Sequence, residues 1–442
     1  MKSSVQRKLI PILCCFSYLA VLIVFPGEAA ADSATGKAGR QPHPDSSNVL
    51  TLRQAVETAV AANPALKASG AEILIEGANL KQAGLRPNPH FHYEMEDFGG
   101  NRELSGLRSV ETTVALSRQI ELGGKRGRRR DLAGSEKSLA EQRYHARLLD
   151  LTAEVRIAFY DLLAAQQARG LAGEKGRLAR DVYNTVLARV QAGKVSPVEL
   201  NRAEVMVSAS EIEKKQAETG LTTARQALAA LLGSETLEFE KAAGEIDQLV
   251  ETEELTGLLA EMEGSPELAL WETELLKRRA AADLARAGRI PDIEMSGGVK
   301  SFGDSGNQAF IVGLSIPIPL FDRNQGNVAA AEHEITQAHL LGKNARIRLI
   351  ETLTGAHNEL AAAFFESTSL RDKVVKGAGR VFDAVQIGYA EGKFGYLELL
   401  DAQRTLFEAR GDYIKALARY HKSRAVVDRL VGRSYEQLGE EE

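Results

Sequence analysis

Apolar residues recur along three long segments at spacings that alternate between three and four residues. The first apolar seam runs through Leu148, Leu151, Val155, Ala158, Leu162 and Ala165. A second seam runs from Leu200 to Leu231, and a third from Leu399 to Leu430. A sustained 3.5-residue repeat is typical of helices that supercoil around one another. The first helix, from about Gly127 to Gln191, would be roughly 95 Å long.

Four shorter segments alternate apolar and polar residues, which predicts β-strands with one apolar and one polar face. In Pro89–Glu96, for example, every second residue is Phe91, Tyr93 or Met95. The other three segments are about Val110–Ile120, Asp292–Val299 and Phe310–Ile316. Each has roughly the length of a tilted transmembrane strand. Four strands cannot close a membrane barrel and open strand edges are not tolerated in lipid, so several copies of the chain must share one barrel.

The order helix, two strands, long helix, tight turn, long helix occurs twice, which predicts a two-fold internal repeat. Short fragments return at a spacing of roughly 200 residues: Asn63-Pro64-Ala65-Leu66 as Ser265-Pro266-Glu267-Leu268, and Ala192-Gly193-Lys194 as Glu391-Gly392-Lys393. We therefore assign residues 49–240 to a first repeat, 241–263 to a linker or equatorial segment, 264–432 to a second repeat and 433–442 to a tail. The fold class expected is mainly α with a small β part.

The N-terminal segment has the pattern of a secretory signal peptide. Three basic residues precede an apolar run, and Ala29-Ala30-Ala31 follows it, which predicts cleavage after Ala31. Residues 1–31 are therefore assigned to the signal and residues 32–48 to a flexible mature N-terminus. The only cysteines, Cys14 and Cys15, lie inside the signal, so the mature chain is expected to have neither disulfides nor thiolate metal sites.

Charge and motifs exclude several classes of function. The formal net charge is −5, and loss of the signal would make the chain more acidic, whereas nucleic-acid-binding proteins usually show a basic excess. The mature chain has no cysteine nucleophile, no Gly-x-Ser-x-Gly and no metalloprotease motif. We therefore expect no enzyme, no cofactor and no nucleic-acid partner.

Three segments carry a resemblance to a known family: Leu116–Arg126, Ile316–Gly326 and Gly392–Arg404. Over about residues 50–432 the chain resembles the TolC-like outer-membrane efflux factors, and most of all their heavy-metal (CzcC/CusC-like) branch. The resemblance implies a homotrimer. Its twelve-strand barrel, four strands from each chain, would lie in outer-membrane lipid, and the long coiled-coil helices would form a periplasmic α-barrel.

The resemblance also implies a function. The chain would be the outer-membrane exit duct of a tripartite, proton-driven efflux system for heavy-metal cations, with a long periplasmic extension. Its partners would be a periplasmic adaptor (membrane fusion) protein and an inner-membrane resistance-nodulation-division pump. Two alternatives stay open: the same channel serving drug efflux or type I protein secretion, and a periplasmic coiled-coil structural tether.

The turn between the first two long helices combines a helix stop with a helix start. Gly193 suits a left-handed helix end, and Ser196 with Glu199 three residues later suggests a complete capping box with Pro197 at the first helical position. The second turn carries Gly392 and Gly395 at equivalent positions. The resemblance implies that both turns are periplasmic tips that dock the adaptor. The alternative is that these residues only shape the turns. The tip residues are Gly193, Lys194, Val195, Ser196, Gly392, Lys393, Phe394 and Gly395.

Glu398 and Asp401 are three residues apart and so share one helix face. The resemblance matches them to the acidic pair that lines the closed aperture, where acidic rings would favour cations. First-turn acids favoured by the helix dipole are the alternative. Tyr389 matches the gating tyrosine and Glu199 its acidic hydrogen-bond partner. The family's second latch, an arginine bound to a polar residue, is not preserved, because Phe394 and Val198 stand at its positions; an apolar contact replaces it or the latch is absent.

Two further segments are candidates for ligand binding. His90 and His92 share a strand face with Glu94 and Glu96 and suit zinc or copper as ligands. A barrel strand needs a polar lumen face in any case, so we predict no metal site there. The basic stretch Gly123–Arg130 lacks the spacing of a phosphate loop. It lies where strand meets helix, and its side chains either contact lipid phosphate or are simply solvated.

Overall fold

The computed structural model describes residues 49–235 and 239–434, which fall in one unit of the chain. The predicted signal peptide, the segment 32–48 and residues 435–442 of the predicted tail lie outside the described residues. The described chain is mostly helical with a small amount of β-structure. Its elements are β1 (Val49–Thr51), α1 (Leu52–Ala62), α2 (Pro64–Ala83), β2 (His90–Glu96), β3 (Glu111–Ile120), α3 (Lys125–Gln191), α4 (Pro197–Leu231), β4 (Lys241–Ala243), α5 (Leu255–Met262), α6 (Pro266–Ala287), β5 (Ile293–Phe302), β6 (Gln308–Ser315), α7 (Gln325–Ser369), α8 (Lys376–Ala390) and α9 (Tyr396–Val431).

The apolar seams predicted from the sequence lie in the helix–helix interfaces. Helix α3 has 67 residues and is therefore about 100 Å long. Its seam residues Leu151, Val155 and Leu162 are fully buried against α1, α4 and α9. Helix α9 buries its seam from Leu399 to Leu430 in the same way. Between residues 49 and 434, gap apart, no helix has the combination of length and apolar composition needed to cross a bilayer.

The helical segment from Gln325 to Ala390 is not one uninterrupted α-helix. A π-helical turn at Leu370–Val375 separates α7 from α8, whereas α3 is continuous over its 67 residues. A π turn accommodates a local change in helix register without ending the helix. On it, Asp372 pairs with Arg371 at 3.1 Å and with Lys376 at 3.0 Å. The apolar spacing alone contained no signal for this turn.

The four longer strands form one antiparallel sheet in the order β2-β3-β5-β6. Strand β5 runs three residues past its predicted end, to Phe302. Phe91 lies opposite Leu116, Val114 opposite Val299, and Val299 opposite Phe310. Opposite residues of antiparallel strands project to the same face. The sheet therefore has one mainly apolar face, and the charged residues of its strands, apart from Arg118, lie on the other face.

A buried polar belt joins α3 and α9 to the segment around β4. Arg156 and Asp428 form a buried ion pair at 2.8 Å. The ring of His421 stacks on Tyr160 with 3.9 Å between centroids, and its Nε2 donates to the carbonyl of Ile246 at 2.8 Å. Burial lowers the pKa of His421 to about 4, so the imidazole is neutral near pH 7. These contacts hold the middle of the long helices to the rest of the unit.

Candidate functional site

The turn between α3 and α4 is built as the sequence predicts, with one correction. Gly193 has a left-handed φ of 66°, and Ser196 caps α4 with Pro197 at the helix start. The capping box, however, is incomplete, because Ser196 Oγ accepts only from the N–H of Val198, at 3.3 Å. Burial raises the pKa of the Tyr389 and Tyr396 phenols, and the charge of the Glu199 carboxylate, which lies near both rings instead, adds to that rise.

The turn between α8 and α9 has an equivalent shape. Gly392 is left-handed at φ 78°, and Gly395 stands at the N-cap of α9. Phe394 packs against Gly388 so closely that a Cβ at Gly388 would lie 2.2 Å from the ring. Phe394 thus folds back onto its own turn.

Arg189 connects the two tips. Its guanidinium carbon lies 4.2 Å from the centroid of the Tyr389 ring, and its Nη2 donates to the Tyr389 carbonyl at 2.9 Å. An arginine over an aromatic face is attracted by the ring's quadrupole. Arg189 was not among the residues predicted from the sequence, although its place in the last turn of α3 is a signal that favours a basic residue.

The hydroxyl of Tyr389 makes no hydrogen bond within the described part of the chain. The predicted bond from Tyr389 to Glu199 is therefore not made inside one chain. Tyr396 packs beside Tyr389 with 6.4 Å between ring centroids, and its hydroxyl is likewise buried without a partner among the residues described. Burial, with a further contribution from the neighbouring Tyr389, raises the pKa of Tyr396 to about 12. Two neutral phenols thus fill the apolar cluster that joins the tips.

The acidic pair lies just inside the start of α9. Glu398 and Asp401 are both exposed. Asp401 pairs with Arg404 at 2.8 Å, and the carboxylate of Glu398 lies back over Gly395, with an oxygen 2.7 Å from the position a Cβ would take there. The Glu398 carboxylate therefore lies near the first N–H groups of the helix, where a negative charge is favourable.

The polar face of the sheet holds the two candidate histidines. His92 Nε2 lies 3.3 Å from Ser117 Oγ. Lys300 bridges Glu96, at 3.1 Å, and Glu111. Within residues 49–235 and 239–434 no group of three or more potential ligands is arranged to hold a metal ion.

Comparison with known proteins agrees with this architecture. Residues 55–234 and 260–433 match the family described as outer membrane efflux protein. The cobalt-zinc-cadmium resistance protein CzcC of Cupriavidus metallidurans is 34% identical over 416 residues, which cover 94% of this chain and 98% of that protein. The cation efflux system protein CusC of Escherichia coli is 25% identical over 380 residues, 77% of this chain and 80% of that one.

Solved structures share the fold. A membrane protein from Pseudomonas aeruginosa superposes with a TM-score of 0.75 at 20% identity, covering 87% of this chain and 91% of that chain. A CusC structure superposes with a TM-score of 0.69 at 20% identity, covering 87% and 92%.

Proposed function

Because the chain belongs to the outer membrane efflux protein family, we propose that it exports metal cations as the outer-membrane channel of a tripartite efflux system. The family consists of channels and not of enzymes. The observation that carries the cargo assignment is the 34% identity to a cobalt-zinc-cadmium resistance protein across 94% of this chain. A match of that extent includes both tips and the whole sheet.

A homotrimer would complete the membrane part. Strands β2 and β6 are the two edges of the sheet, and its apolar face is open, with Phe310 91% and Val312 83% exposed in the single chain. Lipid would cover this face, and pairing of β6 with β2 of the next copy would remove the edges. Three copies would give twelve strands, with the two halves of each chain acting as repeats.

The polar sheet face would then line the duct. Lys300 with Glu96 and Glu111 lies on that face, as do His90 and His92. The long helices would continue as a periplasmic α-barrel that ends at the two tips. The exposed residues of the tips (Gly193, Lys194, Ser196, Gly392, Lys393, Phe394 and Gly395) would dock the adaptor, and the adaptor would bring the inner-membrane pump.

Glu398 and Asp401 would form acidic rings at the aperture, with Tyr389 and Glu199 beside them. Such rings raise the local concentration of cations in a pore. We expect the double variant Glu398→Gln with Asp401→Asn to lower cation over anion permeability in planar bilayers. Glu211→Gln is the matched control, since Glu211 is an exposed acid on α4 that pairs with Arg180. Equal selectivity in both variants would remove the aperture role.

The cargo is tested by growth of a deletion strain on zinc, cobalt, cadmium, copper and silver beside a drug panel. We expect metal sensitivity that the intact gene reverses. Sensitivity to drugs alone would overturn the metal assignment and keep the channel. No change on either panel would also count against the metal assignment. Adaptor docking is tested separately, by comparing capture of the adaptor by the wild type with capture by Gly193 and Gly392 variants.

A further inference from the structure

The corner where β3 meets α3 contains a cleft of about 570 Å³ that is rich in arginine. Arg86, Arg118 and Arg126 line it. None of the three has an ion-pair or side-chain hydrogen-bond partner within the described part of the chain, which sets them apart from their neighbours Arg128 and Arg129. Three unpaired guanidinium groups around one cleft form a site for an anion.

The start of α3 adds backbone donors to this cleft. Gly124 precedes the helix in the left-handed conformation, and the first turn contains no acidic residue. Gly124 and Gly127 both line the cleft, and a Cβ at either would meet nothing within 4 Å. The first N–H groups of a helix have no acceptor within the helix, and the positive end of the helix dipole lies there.

The single carboxylate in the cleft does not oppose an anion. Glu121 is held by Arg129, whose Nη2 donates to Glu121 Oε2 at 3.0 Å. Asp292 also fixes this corner, because it accepts hydrogen bonds from Lys125 Nζ at 2.7 Å, Leu122 N at 3.0 Å and Gln119 Nε2 at 2.8 Å. The unpaired arginines thus converge on a cleft whose walls are held in place.

The position of Arg118 indicates where the anion comes from. Arg118 follows Val114 and Leu116 on the apolar face of the sheet, and it pairs across the sheet with Met295. It stands near the end of β3 that leads into α3. If the apolar face contacts lipid, Arg118 lies where acyl chains give way to headgroups, which is where a long basic side chain is stable.

We propose that this cleft binds the phosphodiester of a membrane phospholipid, through Arg86, Arg118, Arg126 and the N–H groups at the start of α3. The inference rests on the proposed membrane position of the sheet. A lipid with net negative charge is favoured over one with a quaternary ammonium headgroup, because the three arginines would repel the ammonium group. The bound lipid would anchor the corner at which the sheet passes into the long helices.

The experiment uses the full-length protein, purified as its native oligomer in detergent and analysed by native mass spectrometry. Phosphatidylglycerol is added, with phosphatidylcholine as the zwitterionic comparison. We expect the wild type to retain phosphatidylglycerol, and Arg118→Gln or Arg126→Gln to retain about tenfold less, the usual loss for one charge-assisted contact. Arg128→Gln is the matched control, since Arg128 is in the same helical turn as Arg126 but pairs with Asp283 at 3.3 Å.

Equal retention in Arg126→Gln and Arg128→Gln would overturn the proposal, as would equal retention of the two lipids. Inorganic phosphate is the second arm: if it displaces phosphatidylglycerol at matched concentration, the site takes a free anion and the lipid assignment fails. The same spectra report assembly. If Arg126→Gln does not assemble, Arg86→Gln at the exposed side of the cleft gives the decisive comparison. Growth on metals is scored separately, so loss of lipid with intact resistance leaves the proposed function standing.

Discussion

The guanidinium of Arg189, in the last turn of α3, lies over the ring of Tyr389, in the last turn of α8, and donates to its carbonyl oxygen. One side chain therefore joins the two tips of the chain through both a ring contact and a backbone contact. The phenol oxygen of Tyr389 takes no part in either contact.

We predict that Arg189→Gln loosens the tips. The variant loses the ring contact and the bond to the carbonyl, together worth about 1–3 kcal/mol. We expect larger or more frequent openings in planar bilayers, by several-fold. Arg180→Gln is the control, because Arg180 lies on the same helix and pairs with Glu211 instead. Openings no larger than those of the control would contradict the prediction.

Tyr389→Phe tests whether the Tyr389 hydroxyl contributes to closing the channel, as the family resemblance implies. The variant keeps both contacts of Arg189, with the ring and with the backbone carbonyl. It removes only a hydroxyl that is buried without a partner in the described chain. The geometry within one chain therefore predicts conductance near that of the wild type. A clear rise in leak would contradict this prediction and would favour a bond from the hydroxyl to a neighbouring chain, as the family resemblance implies.

Gly388→Ala should disturb the second tip. A Cβ there would lie 2.2 Å from the Phe394 ring, so the ring must move into solvent and the tip loses its contact with α8. Gly379→Ala on the same helix is the control, since a Cβ there meets nothing within 4 Å. We expect faster protease cleavage between α8 and α9 in the first variant only. Identical cleavage rates would show that Phe394 moves at no cost.

Stability should fall with acid because of His421. Its pKa is about 4 in the fold against an ordinary 6.5, so between these values the unfolded chain binds a proton that the folded chain does not. The free energy of unfolding then decreases as the pH falls from 6.5 towards 4, by roughly 3 kcal/mol in all. Urea titrations at several pH values measure this. His421→Gln should flatten the slope, whereas the exposed His333→Gln should keep it.

The buried pair of Arg156 and Asp428 should show strong coupling. Removing one charge leaves the other buried and unpaired, which costs about 3–5 kcal/mol. We expect Arg156→Met to destabilise by that order. The double variant with Asp428→Leu should recover much of the loss, although Arg433, 3.5 Å from Asp428, also loses a partner. Additive losses in chemical unfolding would mean that the pair is not coupled.

Local patterns were sufficient for the long helices and the four longer strands of this fold, but not for the π-helical turn at Leu370–Val375. The spacing of Leu151, Val155 and Leu162 marked a buried helix seam, and the alternation of Phe91, Tyr93 and Met95 marked one face of a strand. Gly193 was expected to be left-handed, and it is. Each of these features depends on side chains within a few residues of one another, so a single stretch of sequence carries the whole signal.

Contacts between distant residues were decided by the tertiary structure. Arg156 and Asp428 are 272 positions apart, and Arg189 and Tyr389 are 200 apart. Arg86, Arg118 and Arg126 share a cleft only because the β3–α3 corner folds beside the end of α2. The same holds for the Glu199 carboxylate, which local spacing assigned to a capping box and which lies near Tyr389 instead. Residue types and spacing determine helices, strands and turns, whereas the register in which long helices pack determines which polar side chains meet, and no local propensity encodes that register.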